Sequence, residues 1–430
     1  MRGRLNLFQS MMLRWRDLHP YCAVHVIRVN KPCEPAALKA HIESQLEHAG
    51  LTGLVLDRVR SRYEFEGGPA AIEFAKLAGG ADPRETARLE IVRQLNTPFP
   101  REGRFVPFRF FAIDCGTCFD LGLAYDHFIA GGDSIAVLLR YCAQGYLDDA
   151  GRGRQWAPRL YPHTYRRLLL RNLSSLLRGL GALPSLAASC RRSHRAPCAT
   201  AGAPANGFLC FRVDSAAVEA LRRTARDWGV TIGDLFLAML LLSVDPLAVG
   251  RHAAKRRTEL AVASIVNLRS EVESDAHDCF GQFLSSLRLS HPVAPGTTVR
   301  ELALAAHAET HRVRARKLYL QSLLALGVAG AQWRFLSPER RRCFLAKHYP
   351  IWAGLSALHV DPLWQDQPDE ALPSEYLRAV STGPLAPLVF AITTLAGAMW
   401  LGVSYRTPDV GAEAAEQTAR AFLGHIRRLG

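Results

Sequence analysis

Strand and helix signals alternate on both sides of a long stretch that carries neither, and this pattern limits the fold more than any other feature. Within the first 150 residues the β-branched run Ala23–Val29 precedes the helical segment Glu34–Ala49, and the alternation resumes at Phe208. A length of 430 residues favours two or three domains, or two large halves. We therefore predict an α/β protein with three parts: a first lobe at 1–150, a basic crossover at 151–207 and a second lobe at 208–430.

The positive charge of the chain is local. Lys and Arg total 53 against 39 acidic residues, a formal net charge of +14, and eleven arginines with no acidic residue lie between Gly151 and Val213. A nucleic-acid enzyme usually spreads its basic residues along a groove, with aromatic residues between them. The clustering therefore argues against a nucleic-acid partner.

One segment of the crossover predicts a basic amphipathic helix over 165–180. Four leucines fall on one helical stripe and three arginines fall largely off it: Leu169, Leu173, Leu176 and Leu180, with Arg167, Arg171 and Arg178. Such a helix could dock on an anionic membrane or an acidic partner. It could also pack its leucines on the body of the protein, and we favour this second interpretation.

The ten cysteines are scattered and do not predict a disulfide framework. Cys115 and Cys118 form a single CxxC between two strand-like runs, which indicates a hairpin turn, and no second pair completes a zinc site. Arginines interrupt the first 17 residues before an apolar run forms, so we expect no secretory signal. These features predict a protein of the reducing cytoplasm that binds no metal.

An uncharged segment, Ser381–Tyr405, is long enough to cross a bilayer. It contains Pro384, Pro387 and Gly397, and β-branched residues surround Ala396. This composition favours two buried strands joined by a tight turn.

The segment Leu121–Leu139 carries the candidate active site. A strand delivers His127 into a turn containing Gly131 and Gly132, and Ser134 is predicted to cap the next helix. A histidine held at a strand end suits a general base, because imidazole titrates near neutrality. The alternative is a core histidine that satisfies a loop carbonyl.

The run from His127 to Ser134, HFIAGGDS, resembles the HxxxDGxS signature of thioester-dependent acyltransferases. This family includes chloramphenicol acetyltransferase, nonribosomal peptide condensation domains, wax ester synthases and alcohol acyltransferases. In this alignment His127 takes the histidine, Gly132 the glycine and Ser134 the serine. Three further segments are similar to family elements in the same order: Leu95–Pro100, Ile265–Arg269 and Cys279–Phe283.

The resemblance implies two chloramphenicol acetyltransferase-like lobes, each a mixed sheet flanked by helices, with the active-site channel between them. It implies that His127 takes a proton from a hydroxyl or amine acceptor, which attacks an acyl thioester on CoA or an acyl carrier protein. No cofactor is bound permanently. The acceptor could be a lipid reached at the inner membrane face. Support for the loop or the oxyanion is expected from Gly131, Gly132, Asp133, Ser134, Asn267, Arg269 and Gln282.

One position departs from the signature, because Gly131 stands where the family has an aspartate that pairs with an arginine. Arg269 is then expected to lack its acidic partner, and Asp126 and Asp133 are the nearby carboxylates. A degenerate homologue that binds a partner without turnover is therefore the alternative to an enzyme. The same letters also resemble a carrier-protein attachment site at Ser134, although the strands upstream disfavour that interpretation.

Overall fold

The computed structural model describes residues 1–147, 156–160, 165–199, 202–272, 279–364 and 372–429. Its first part alternates strands and helices, with more strands than the sequence predicted. The elements are β1 (Arg2–Arg4), α1 (Leu7–Arg16), β2 (Cys22–Val29), α2 (Pro35–His48), β3 (Leu54–Asp57), β4 (Arg62–Phe65), β5 (Glu73–Ala78), α3 (Pro83–Asn96), β6 (Arg104–Phe105), β7 (Phe108–Asp114), β8 (Phe119–Asp126) and α4 (Gly132–Leu147).

The crossover contributes short elements, and its residues 151–155, 161–164 and 200–201 lie outside the described ranges. The elements are β9 (Arg159–Leu160), α5 (Arg166–Arg171), α6 (Leu173–Leu180) and α7 (Leu183–Arg192).

The last part resumes the alternation of strands and helices. The elements are β10 (Ala205–Val213), α8 (Ser215–Trp228), α9 (Ile232–Val244), β11 (Leu260–Asn267), α10 (Arg269–Val272), β12 (Cys279–Phe280), β13 (Leu284–His291), α11 (Val299–Ala315), α12 (Tyr319–Trp333), α13 (Pro338–Arg342), α14 (Phe344–His348), β14 (Ala353–His359), α15 (Asp361–Trp364), β15 (Tyr376–Val380), β16 (Leu388–Leu395), β17 (Ala398–Thr407) and α16 (Ala412–Leu429).

Two large mixed sheets organise these elements. The first has the order β15-β2-β8-β7-β5, and the second has the order β10-β17-β16-β14-β11-β13. Every residue of β8 is buried, because this strand lies at the centre of its sheet with elements packed on both faces. Smaller sheets follow the orders β1-β4-β3-β6 and β12-β9.

Strand β15 joins the two halves. It follows residue 208 in the chain, yet it pairs antiparallel with β2 of the first sheet, with Val380 opposite Ala23. A division at residue 208 therefore assigns β15 to the second lobe by its position in the chain, although this strand belongs to the sheet of the first lobe. A boundary drawn from composition cannot register such a crossing, since strand pairing depends on tertiary structure.

Local sequence signals account for several elements, and the two predicted strand pairs have the expected form. Thr231 and Asp234 form a capping box at the start of α9, whose residues are buried almost all round. The uncharged segment forms β16 and β17, joined at Ala396 and Gly397, both with positive φ. The CxxC forms the β7–β8 turn, where the Cys115 amide donates to the Cys118 carbonyl at 3.0 Å.

The leucine stripe predicted for 165–180 is buried only in part. The helix ends at Arg171 and a new one begins at Leu173, so the register changes at Asn172. Leu176 is buried and Leu169 packs partly against the core, whereas Leu173 and Leu180 are exposed. Leu168, which lies outside the predicted stripe, is also buried. Helices α11 and α12 are separated in the same way, since Lys317 between them adopts a left-handed φ of 50°.

A disulfide bond joins Cys198 in the crossover to Cys343, which follows α13. The sequence did not predict this pair, since the two residues lie 145 positions apart and their spacing carries no information about their distance in the fold. The other eight cysteines form no disulfide bond.

Within the described ranges, no single helix has both the length and the apolar character needed to cross a bilayer. The stretches Ser215–Trp228 and Ile232–Leu247 reach that standard only when combined, and a bend of 101° separates them.

Candidate active site

His127 lies immediately after β8, in a turn that ends where α4 begins at Gly132. Its side chain sits between two tyrosines, with ring centroids 5.4 Å from Tyr21 and 5.7 Å from Tyr125. The residue is only 8% exposed. The predicted helix cap at Ser134 is wrong by a few positions, because the Ile135 amide donates to the Gly131 carbonyl and the helix already includes Gly132.

Residues from the last part of the chain hold the turn in place. The Gln282 amide nitrogen donates to the carbonyls of His127 and Ala130, at 2.8 and 3.1 Å. The Gly131 amide donates to the Gly281 carbonyl at 3.0 Å. Each of these carbonyl and amide groups is buried with a partner, so the turn that presents His127 is fixed by the second half of the chain.

An ion pair across the two halves replaces the one that the signature leads us to expect. The Arg269 Nε atom lies 2.7 Å from an Asp133 carboxylate oxygen, and Asn267 donates to the same oxygen at 3.0 Å. Arg269 also donates to the Ser134 hydroxyl at 2.6 Å. The expectation that Arg269 lacks an acidic partner is therefore wrong.

The glycine at position 131 makes room for this arrangement. A β-carbon on Gly131 would lie 2.8 Å from the Asp133 Oδ1 atom and 3.1 Å from the Gln282 Oε1 atom. The Asp133 carboxylate thus occupies the space beside residue 131. A sequence alignment without gaps cannot show this, because it compares positions rather than the places that side chains reach.

Ser134 is buried against the second half of the chain. Its hydroxyl accepts from Arg269 and from the Gly281 amide, the latter at 3.2 Å. The residue is 1% exposed. A serine enclosed in this way is not presented to a modifying enzyme, which argues against the carrier-protein interpretation.

Asp126 serves the structure rather than His127. Its carboxylate forms a buried ion pair with Arg16 of α1. Burial raises the pKa of Asp126, and the Arg16 charge opposes that shift. Among the described contacts, none joins the Asp126 carboxylate to the His127 ring, so this pair anchors the end of β8 to α1.

The surroundings of His127 keep its ring neutral. Burial lowers the pKa of His127 to about 4, the nearby Ala130 carbonyl raises it and the Arg378 charge lowers it. The Ala130 carbonyl does not complete a hydrogen bond to Nδ1, which is buried without a partner among the described residues. A neutral imidazole at physiological pH is able to accept a proton.

Three more buried polar atoms near this turn have no hydrogen-bond partner among the described residues: His25 Nε2, Tyr125 Oη and Gln282 Oε1. A β-carbon on Gly132 would lie 3.6 Å from His25 Nε2 and 3.1 Å from Arg378 Nη1. Buried polar atoms normally have partners, so such a group around two glycines indicates a place for a polar ligand.

The sequence prediction missed Tyr21, His25, Tyr125 and Arg378. His25 lies in the apolar run of β2, and a polar residue inside a buried strand was the available signal. Arg378 lies in β15, whose short run gave no strand signal, and its side chain donates to Thr393, Ser356 and Ile392.

Within the described ranges, no three His, Cys, Asp or Glu side chains are grouped so as to hold a metal ion.

No protein-family model and no curated protein matches the sequence. Solved structures match over nearly its whole length. The first condensation domain of the calcium-dependent antibiotic synthetase, in complex with substrate analogue 3a, is 15% identical, with a TM-score of 0.70 and coverage of 99% of this chain and 95% of that chain.

Two further structures are similar over the whole chain. The cyclization-docking bidomain of a nonribosomal peptide synthetase from Sorangium cellulosum has a TM-score of 0.69 at 13% identity, covering 100% of this chain and 85% of that chain. The epimerization domain of tyrocidine synthetase B has a TM-score of 0.66 at 12% identity, covering 100% and 96%. The predicted fold class, with two chloramphenicol acetyltransferase-like lobes, is confirmed.

Proposed function

We propose that this chain transfers an acyl group from a thioester, on CoA or on a carrier protein, to a hydroxyl or amine acceptor, with His127 as the general base. The observation that carries this proposal is a neutral, buried imidazole at a strand end, in a turn fixed by the second half of the chain. The condensation-type fold supports the same class of chemistry.

The reaction needs one group that removes a proton from the attacking hydroxyl or amine and later donates it to the departing thiolate. His127 takes the proton of the acceptor O–H or N–H as the acceptor attacks the thioester carbonyl. The tetrahedral intermediate collapses, the C–S bond breaks, and the imidazolium protonates the departing thiolate. Burial, which lowers the pKa of His127 to about 4, keeps the ring in the neutral form that accepts the proton, and positioned acid–base catalysis contributes about 10²–10⁴-fold.

The residues predicted to support the loop or the oxyanion differ in the atoms that they contact. The Gln282 amide nitrogen donates to two carbonyls of the turn, so Gln282 positions the turn and is not free to donate to an oxyanion. Asn267 and Arg269 hold Asp133, which makes them positioning residues as well. We assign the oxyanion donor to the Tyr125 hydroxyl, which is buried without a partner among the described residues and lies on the ring next to His127.

The test is thioester consumption by purified wild-type protein and by His127→Ala. Acetyl- to palmitoyl-CoA form one donor series and acyl-loaded carrier protein forms the second, each with a mixture of hydroxyl and amine acceptors. We expect thiol release that depends on the acceptor and falls about 10²–10⁴-fold in the variant. The donor series that supports turnover decides between CoA and a carrier protein.

The matched control is His359→Ala, since His359 is an exposed histidine far along the chain. It should retain wild-type turnover, and circular dichroism should show that both variants are folded. Acceptor-dependent release that His127→Ala leaves unchanged would reject His127 as the base. No release with either donor, from folded protein, would favour the non-catalytic homologue.

A further inference from the structure

The helices α5, α6 and α7 carry a row of leucines that face away from the protein. The exposed leucines are Leu170, Leu173, Leu177, Leu180 and Leu183, with exposed fractions of 59%, 52%, 58%, 49% and 40%. Single exposed apolar residues are ordinary, but a contiguous patch marks an interaction site. Folding leaves the apolar surface of these leucines in water, so a partner that covers them would gain the free energy of their burial.

The row continues into an apolar groove of about 480 Å³. Leucines of three different parts of the chain line it, from the N-terminal residues, from α5–α6 and from α12: Leu5, Leu7, Leu169, Leu170, Leu173 and Leu324. The groove and the row form one surface, which we call the leucine surface.

Arginines lie along the leucine surface, and their own stretch of the chain holds no acidic residue. Arg166, Arg167, Arg171 and Arg178 are exposed, and the sequence holds no Asp or Glu between residues 151 and 213. Among the described ion pairs, none involves these four arginines. Their charge is therefore available to an anionic partner.

We propose that the leucine surface docks on an anionic lipid bilayer, with the leucines among the acyl chains and the arginines at the phosphates. Apolar residues beside arginine are typical of helices that lie in the membrane interface. Five exposed leucines beside four exposed arginines, in a stretch without Asp or Glu, match an acyl-chain layer bordered by anionic phosphates. The proposal does not depend on the chemistry at His127.

The experiment is flotation of the purified full chain with vesicles of phosphatidylcholine alone or with 30% phosphatidylglycerol, at low and high salt. We expect at least tenfold tighter binding to the anionic vesicles, and weaker binding as salt rises. The variants Leu170→Ser/Leu177→Ser and Arg167→Gln/Arg171→Gln/Arg178→Gln should each weaken binding at least tenfold. Thiol release from a soluble donor and acceptor should stay at the wild-type value.

Matched controls come from other helices. Leu89→Ser/Leu304→Ser removes exposed leucines, and Arg427→Gln/Arg428→Gln removes exposed arginines. Both controls should bind as the wild type does. The proposal is overturned if anionic vesicles do not bind, if the controls weaken binding as much as the variants, or if the variants impair use of a carrier protein while vesicle binding is unchanged.

Discussion

The turn that carries His127 and the helices α5–α7 use charge in opposite ways. In the turn, Asp126 pairs with Arg16 and Asp133 pairs with Arg269, so each carboxylate has a guanidinium partner inside the protein. In α5–α7 the arginines around the leucine surface have no acidic partner in their own segment. Both carboxylates of the turn are therefore paired within the protein, whereas the helices present exposed apolar and basic groups.

The two regions therefore differ in what determines which residue a position can hold. A residue of the turn has one place to fit, since its neighbours are fixed in both lobes. A residue of the leucine surface is constrained by contact with a binding partner and little by packing within the chain. Substitutions in the turn should thus change folding and turnover together, and substitutions in the surface should change neither.

The largest expected effect comes from breaking the buried pair at the end of β8. Arg16→Met leaves Asp126 buried without a partner, and such losses cost about 3–5 kcal/mol of unfolding free energy. Arg178→Met, in the exposed helices, should change it by less than about 0.5 kcal/mol. Denaturant unfolding measures both. Adding Asp126→Asn to Arg16→Met should recover part of the loss, and a cost below about 1 kcal/mol for Arg16→Met alone would contradict the comparison.

Two adjacent leucines of α6 give the next test. Leu176 is buried and Leu177 is exposed. Leu176→Ala should cost about 2–5 kcal/mol, because it removes buried methyl groups and leaves a cavity. Leu177→Ala should stay within about 0.5 kcal/mol. Equal costs in denaturant unfolding would mean that both leucines are buried, and the leucine surface would then not exist as described.

The same two regions show how far the sequence could predict the structure. His127 and its turn were predictable, because a strand signal, two glycines and a helix signal follow one another within one short segment. The residues that contact the turn were less predictable. The prediction named Arg269 and Gln282 by resemblance, but it did not foresee that Asp133 pairs with Arg269. His25 and Arg378 lie in β2 and β15, and Tyr21 lies just before β2, so their approach to the turn depends on strand pairing and other tertiary contacts.

The prediction of one buried leucine stripe in the crossover failed for a local reason. The spacing of Leu169, Leu173, Leu176 and Leu180 assumes one continuous helix, and the break at Asn172 rotates the second half relative to the first. Asn competes with the backbone for hydrogen bonds, and its amide here donates to the Leu168 carbonyl at 2.8 Å.

Moving the carboxylate within the turn tests the role of Gly131. Gly131→Asp would place a second carboxylate beside Asp133, since a β-carbon at position 131 would lie 2.8 Å from the Asp133 Oδ1 atom. We expect thiol release to fall roughly tenfold or more, which is about 1.4 kcal/mol. Adding Asp133→Ala should return release to within a few-fold of wild type, because one carboxylate would again face Arg269. Higher release in Gly131→Asp alone would contradict the assignment of that space to Asp133.

Acid gives the smallest and most selective test. The folded state keeps His127 neutral down to a pKa of about 4, whereas the unfolded chain protonates it near 6.5. Between these values the unfolded state binds more protons, so stability falls as pH falls, by up to about 1.4 kcal/mol per pH unit for this histidine. His127→Asn should reduce that slope, and His359→Asn should not, because His359 is exposed. Vesicle binding through α5–α7 should persist over this pH range while the turn loses stability, because an arginine side chain does not titrate under acid conditions. An acid slope that His127→Asn leaves unchanged would mean that the ring titrates alike in both states, and that the turn does not hold it neutral.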